Sequence, residues 1–171
     1  MRALVEALER SRPADLGAPG ALSRLEGVWE LRWSSSRQPW LAVAPWLENL
    51  QVLAPSQGRA MNLLRPAGPL AALAAITVEA TIGIDAEASP AGPAAPRQRV
   101  QVHFRRGGRL GPSLGGGRLR LLREVEQTFP AWLDITVLDA ELRLCRGNAG
   151  TVFALVRRGD LSVEELLPPA A

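Results

Sequence analysis

The chain has 171 residues, 47% of them hydrophobic, which suits one domain with a single core. Twenty arginines and no lysine face 17 acidic residues for a net charge of +3, so the pI of about 10.7 reflects arginine's high pKa more than a charge excess. A single cysteine, Cys145, excludes an intramolecular disulfide, and the longest purely apolar run, residues 70–76, falls far short of the roughly 20 residues of a spanning helix.

Residues 3–10 place Leu4, Val5 and Leu8 on one face of a short amphipathic helix, which Pro13 ends. Glu6 and Glu9 are incompatible with the apolar core of a secretory signal, and the expected compartment is the cytoplasm. Residues 11–20 hold two prolines and two glycines and read as a loop, leading to a second helical turn over 21–26.

From Gly27 the period changes from helix to strand. Trp29, Leu31 and Trp33 share one face of a first strand, with Glu30, Arg32 and Ser34 on the other. In Gln38-Pro-Trp40-Leu-Ala-Val-Ala-Pro-Trp46, prolines interrupt an apolar loop whose tryptophans suit a membrane interface, so Trp40 and Trp46 are candidate membrane contacts. Residues 49–54 and 59–65 flank Pro55-Ser-Gln-Gly58 and predict a hairpin.

The clearest strand alternates Ile76, Val78, Ala80, Ile82 and Ile84 with Thr77, Glu79, Thr81, Gly83 and Asp85. After an Ala/Pro/Gly-rich loop over 86–96, Val100, Val102 and Phe104 share the apolar face of a strand predicted to pair with it. Gly107-Gly108 and the triplet at 115–117 are read as bounding a flexible loop. Arg97, Arg99, Arg105, Arg106, Arg109, Arg118, Arg120 and Arg123, with only Glu124 nearby, form either a solvated face or an anion-facing patch. With Phe104 the single ring in that stretch, nucleic acid is not an expected partner.

Three strands close the sequence, over 132–138, 142–146 and 151–157, followed by an acidic helix or loosely ordered tail. Eight or nine short strands on one core predict a sandwich or closed barrel, since an open sheet would leave long bare edges. The expected organisation is a helical segment, 1–26, packed on a barrel, 27–158, with a tail, 159–171.

Two blocks carry a family resemblance. Gly27-Val-Trp29-Glu-Leu-Arg-Trp33-Ser-Ser-Ser36 resembles the opening signature of the plastid lipid-associated protein (fibrillin) family. Leu133-Asp-Ile-Thr-Val-Leu138-Asp139 with Leu142-Arg143-Leu-Cys145-Arg146-Gly147-Asn148-Ala-Gly150-Thr151-Val-Phe153 resembles its C-terminal motif. The similarity spans about residues 3–158, in family order, with Trp33 where many members have tyrosine, Cys145 where serine is common, and added arginine and glycine between 97 and 123. It implies a mainly β, lipocalin-like antiparallel barrel of a cyanobacterial-type member. It further implies peripheral association with thylakoid membranes or lipid bodies, and roles with isoprenoids, carotenoids or quinones. In lipocalin-like barrels an arginine from a late strand covers the Gly-x-Trp tryptophan, a role that Arg143 or Arg146 would take here.

The barrel lining, and thus the ligand site for a lipid or other hydrophobic small molecule, is expected to be Trp29, Leu31, Trp33, Ile76, Val78, Val100, Val102 and Phe104. Asp134, Asp139, Arg143 and Arg146 form a polar cluster, either a head-group clamp or a salt-bridge network. The functional expectation is a non-enzymatic lipid-binding barrel at an anionic membrane surface, with no metal or other cofactor. Its competitor is a filled barrel that scaffolds a protein partner. A nucleophile pair of Cys145 and His103 would need their strands to adjoin, and both positions read as ordinary strand residues.

Overall fold

A computed structural model describes residues 2–41, 43–84, 97–114 and 117–167. Asp85, the loop expected over 86–96, Gly115 and Gly116 of the glycine triplet, and Pro168-Pro169 lie outside the described residues.

The chain opens with α1, Arg2–Ser11, and α2, Ala21–Leu25. The strands are β1, Gly27–Ser34; β2, Leu47–Ala54; β3, Arg59–Pro66; β4, Ala75–Ile84; β5, Arg99–Leu114; β6, Gly117–Glu124; β7, Ala131–Leu138; β8, Leu142–Gly147; and β9, Val152–Arg157. A final short helix, α3, is Val163–Leu166. All pairings between these strands are antiparallel. Eight of them close into an up-and-down barrel in the cyclic order β1-β2-β3-β4-β5-β7-β8-β9, and β6 stands outside it. The mainly β barrel with a short N-terminal helix is the architecture the alternation predicts.

The extra strand exists because β5 is sixteen residues long and changes neighbours along one edge. Residues 99–102 pair with β7, whereas 106–114 pair with β6. Gln127 fills the gap at the exchange: its Oε1 accepts from the Phe104 amide, and its Nε2 donates to the carbonyls of Val102 and Phe129. The flexible loop read at Gly107-Gly108 is therefore corrected to continuous strand. These glycines allow a close approach, since a Cβ at Gly108 would lie 2.0 Å from the Leu121 carbonyl oxygen.

One end of the barrel is plugged. The chain between α1 and β1 crosses it, with the amides of Ala14 and Leu16 donating to the carbonyls of Thr136 and Arg97. Ala14, Leu16 and Leu25 join Trp29, Leu31, Leu53, Ile135 and Leu155 in one buried cluster. The outer wall is covered in two places. Trp33, Val137, Leu144 and Val152 form a seat for Val5 and Leu8 of α1, fastened by a bidentate ion pair from Arg146 to Glu9 at 2.8 and 2.6 Å. Leu50, Val52, Met61, Leu63 and Leu110 pack under Val163 and Leu167 at α3.

Three expectations change here. Trp33 does not share the face of Trp29 and Leu31: β1 bulges at Arg32, so Leu31 opposes Leu155 while Trp33 opposes Ala154, and one extra residue sends Trp33 to the outer wall. A matching bulge at Thr136 turns Val137 outward, and together the two make the seat of α1. Leu4, expected on the packed face of α1, is exposed. The closing segment is folded onto the wall, its helix opened by a capping box in which Ser162 and Glu165 satisfy each other's backbone amides.

Candidate functional site

Within the barrel lies a cavity of about 360 Å³. It runs from Leu25, at the plugged end, to Gln38, Phe129, Asn148 and Thr151 at the open end. Most of its wall is apolar: Leu53, Val78, Ala80, Ile82, Val100, Val102, Phe104, Leu133, Ile135 and Phe153. The cross-strand register explains this, because Ala80 opposes Phe104, Ile82 opposes Val102, Val100 opposes Leu133 and Cys145 opposes Phe153.

Of the eight residues expected to line the interior, Val78, Val100, Val102 and Phe104 line the cavity. Trp29 and Leu31 belong to the packed floor beneath it. Trp33 sits on the outer wall, as described. Ile76 shares the parity of Val78 but is 55% exposed, because β4 outruns the barrel there and lies beside Arg109 and Leu64. Thr77 and Glu79, which alternate with it on the opposite face, are buried: the Thr77 hydroxyl donates to the Asn62 carbonyl, and Arg106 and Arg120 both pair with Glu79.

Sequence reasoning missed the polar part of the lining. Gln51 and Asn62 oppose each other across β2 and β3 and both face the cavity. In the sequence they alternate with Leu50, Val52, Met61 and Leu63, which suggests a solvated polar face. The apolar residues instead face outward and are covered at α3, so the polar ones point in. Only knowledge that the tail packs on this wall would have reversed the assignment.

The expected polar cluster is not one cluster. Asp134 takes a bidentate pair from Arg99 at 2.8 and 3.0 Å, and Asp139 accepts from the amides of Glu141 and Leu142 in the β7–β8 turn. Arg146 is held by Glu9. Arg143 alone enters the barrel, where it is completely buried, donates to the Gln51 side-chain oxygen, and lies 5.2 Å from the centre of the Trp29 ring. Of the two arginines proposed to cover Trp29, Arg143 does so and Arg146 does not. Arg157 was not foreseen: it stacks at 4.3 Å on the same ring and donates to the carbonyls of Glu26, Arg24 and Ala140. The Trp29 indole N–H reaches the Leu25 carbonyl at 3.0 Å, which ties the floor to the plug.

Burial pushes the Cys145 thiol up, with the Arg143 charge opposing it. Its side chain is inside the barrel, whereas His103 is exposed and alternates with the inward Val102 and Phe104, so the two do not meet.

Several large apolar side chains are exposed. Trp46 is 73% exposed just before β2, Val43 is exposed in the same connection, Leu70 and Leu73 are exposed between β3 and β4, and Phe129, exposed before β7, lines the cavity; Leu119 and Leu121 are exposed on β6, outside the barrel. Trp40 belongs to the 3-10 turn Pro39–Leu41, and its side chain lies outside the described residues. Within the arginine-rich stretch Arg99 pairs with Asp134, Arg106 and Arg120 share Glu79, and Arg118 donates to the carbonyls of Gly111 and Ala71. Arg105, Arg109 and Arg123 are exposed without an ion pair among the described residues. A second depression of about 440 Å³, outside the barrel, is built around the paired Glu79 with Arg59 and Arg105 and lacks the apolar wall of the interior cavity.

Comparisons of the chain with protein-family models, with curated proteins and with solved structures return no match.

Proposed function

We propose that this protein binds a lipid or isoprenoid-type hydrophobic molecule inside its barrel and works peripherally at an anionic membrane surface. The observation that carries the reading is the cavity itself: about 360 Å³, mostly apolar, plugged at one end and open at the other. Ligand sites span about 300–1,000 Å³, so this one suits a single compact or single-chain molecule. Trp46 and Val43 are exposed in the β1–β2 connection, whose Gln38 and Leu41 line the cavity, so contact of this connection with a bilayer would bring cavity and lipid together. Unpaired Arg109 and Arg123 add attraction to anionic head groups. The resemblance to fibrillins points to thylakoids or lipid bodies as that surface, in a cytoplasmic protein of a photosynthetic organism.

The competing reading, a filled barrel that scaffolds a protein partner, calls for an interior packed to core density. The cavity favours the carrier. Native mass spectrometry with lipid extraction, on protein purified from a pigment- and quinone-containing photosynthetic host, tests the choice. A stoichiometric isoprenoid or glycerolipid is expected, and its loss is expected in an Ala131→Trp variant that narrows the cavity. An empty barrel that co-purifies with a protein partner overturns the carrier reading.

A further inference from the structure

The floor of the cavity holds a charge without a counter-charge. Arg143 is 0% exposed, yet among the described residues its Nε and Nη1 have no hydrogen-bond partner, and Nη2 meets only the neutral amide of Gln51. Among the described lining residues it is the one ionised side chain, and none of them is Asp or Glu. Arg157, the other arginine against Trp29, is satisfied by backbone carbonyls and also has no carboxylate among the described residues. Buried guanidinium groups are ordinarily paired, because desolvation of a lone charge is expensive and the face of one indole recovers only part of it.

The hydrogen-bond chemistry is equally one-sided. A guanidinium only donates, so Gln51 must turn its oxygen to Arg143, and its amide nitrogen is left as a donor on the cavity wall. The floor is therefore rich in donors and positive, under a wall that is otherwise apolar.

We propose that Arg143 and Gln51 form a head-group subsite for a carboxylate, so that the molecule this barrel takes is an acidic single-chain amphiphile with its head at the floor and its chain toward Phe129 and the mouth. This rests on the carrier reading above. A carboxylate that reaches the floor displaces the Gln51 oxygen from Arg143, supplies the missing negative charge, and accepts two parallel N–H bonds from the planar guanidinium. The Gln51 amide then donates to the same head. A neutral ester of the same chain fills the same apolar wall and gains none of this.

The test uses the full chain stripped of lipid and titrated with cis-parinaric acid and with its methyl ester, a matched pair of fluorescent eighteen-carbon probes. The acid is expected to bind at least tenfold more tightly than the ester, and a folded Arg143→Gln variant is expected to lose that preference while still binding the ester. Equal affinities in the unmodified protein overturn the head-group subsite and leave the carrier intact. A preference that survives in folded Arg143→Gln also overturns it. Failure to bind either probe overturns both readings. If Arg143→Gln does not fold, the comparison of acid with ester in the unmodified protein decides alone.

Discussion

Arg157 passes over Gly27 so closely that a methyl group on Gly27 would lie 2.2 Å from the guanidinium nitrogen that bonds the Glu26 carbonyl. Gly27 also has φ of 143°, which side chains resist. The glycine of the Gly-x-Trp sequence is thus explained by an arginine from the last strand, at the seam where β1 meets β9. Gly27→Ala is expected to expel Arg157 from Trp29 and to cost about 2–3 kcal/mol. Urea denaturation followed by tryptophan fluorescence measures this, and an unchanged midpoint would contradict the arrangement.

Gly108→Ala probes the outside strand. The added carbon meets the Leu121 carbonyl in the middle of the β5–β6 ladder, so β6 should detach while the eight barrel strands remain paired. Hydrogen exchange is the suitable measurement: amides across 118–124 should exchange much faster, with those of β8 and β9 unchanged. Equal protection in β6 would count against the close approach.

Acid should loosen the helix and the outer ion pairs before it reaches the packed floor. The hydrogen bond from Arg146, stronger than the opposing effect of burial, holds Glu9 below its ordinary 4.5. Burial pushes Glu48 up, but hydrogen bonds from Arg65 and Arg158 outweigh it and leave a lowered value. Asp160, hydrogen-bonded by Arg158, is held down to about 2. Depressed carboxylates contribute stability that is complete above their unfolded values and is lost as pH falls through the folded ones. Thermal stability should therefore be flat above pH 5 and fall between about 4.5 and 2. Glu9→Gln should flatten part of that fall and cost about 0.5–1 kcal/mol near neutrality.

Trp46→Ser tests the mouth. Trp46 makes no part of the three buried clusters, so the variant should keep its melting temperature. Its co-sedimentation with vesicles containing anionic lipid should drop several-fold, and high salt should weaken what remains. Full binding by the variant would place the membrane contact elsewhere.

The barrel was legible because its strands alternate, and the hairpin at Pro55, the pairing of β4 with β5 and the last three strands follow directly from period two. What was hidden has identifiable physical causes. A bulge leaves no mark in composition, so Trp33 was assigned to the wrong face. In β2 and β3 the outer face is covered at α3 and the inner face borders the cavity, and on β4 the outer face is buried at Thr77 and Glu79, which reverses the usual meaning of polar and apolar at Gln51, Asn62, Thr77 and Glu79. The second half of β5 was hidden because glycine at a close backbone approach looks the same in sequence as glycine in a loop. Arg143 was singled out for covering Trp29, but its missing counter-charge is visible only once the surrounding wall is known to contain no carboxylate.

The wall of the cavity is completed by the pairing of the first strand with the ninth. A chain emerging from the ribosome has an open, edge-exposed sheet until the ninth strand arrives, and such long-range pairing is slow by nature. The cavity cannot exist until the ninth strand has paired with the first. A molecule that binds inside would therefore enter an already closed barrel through its mouth.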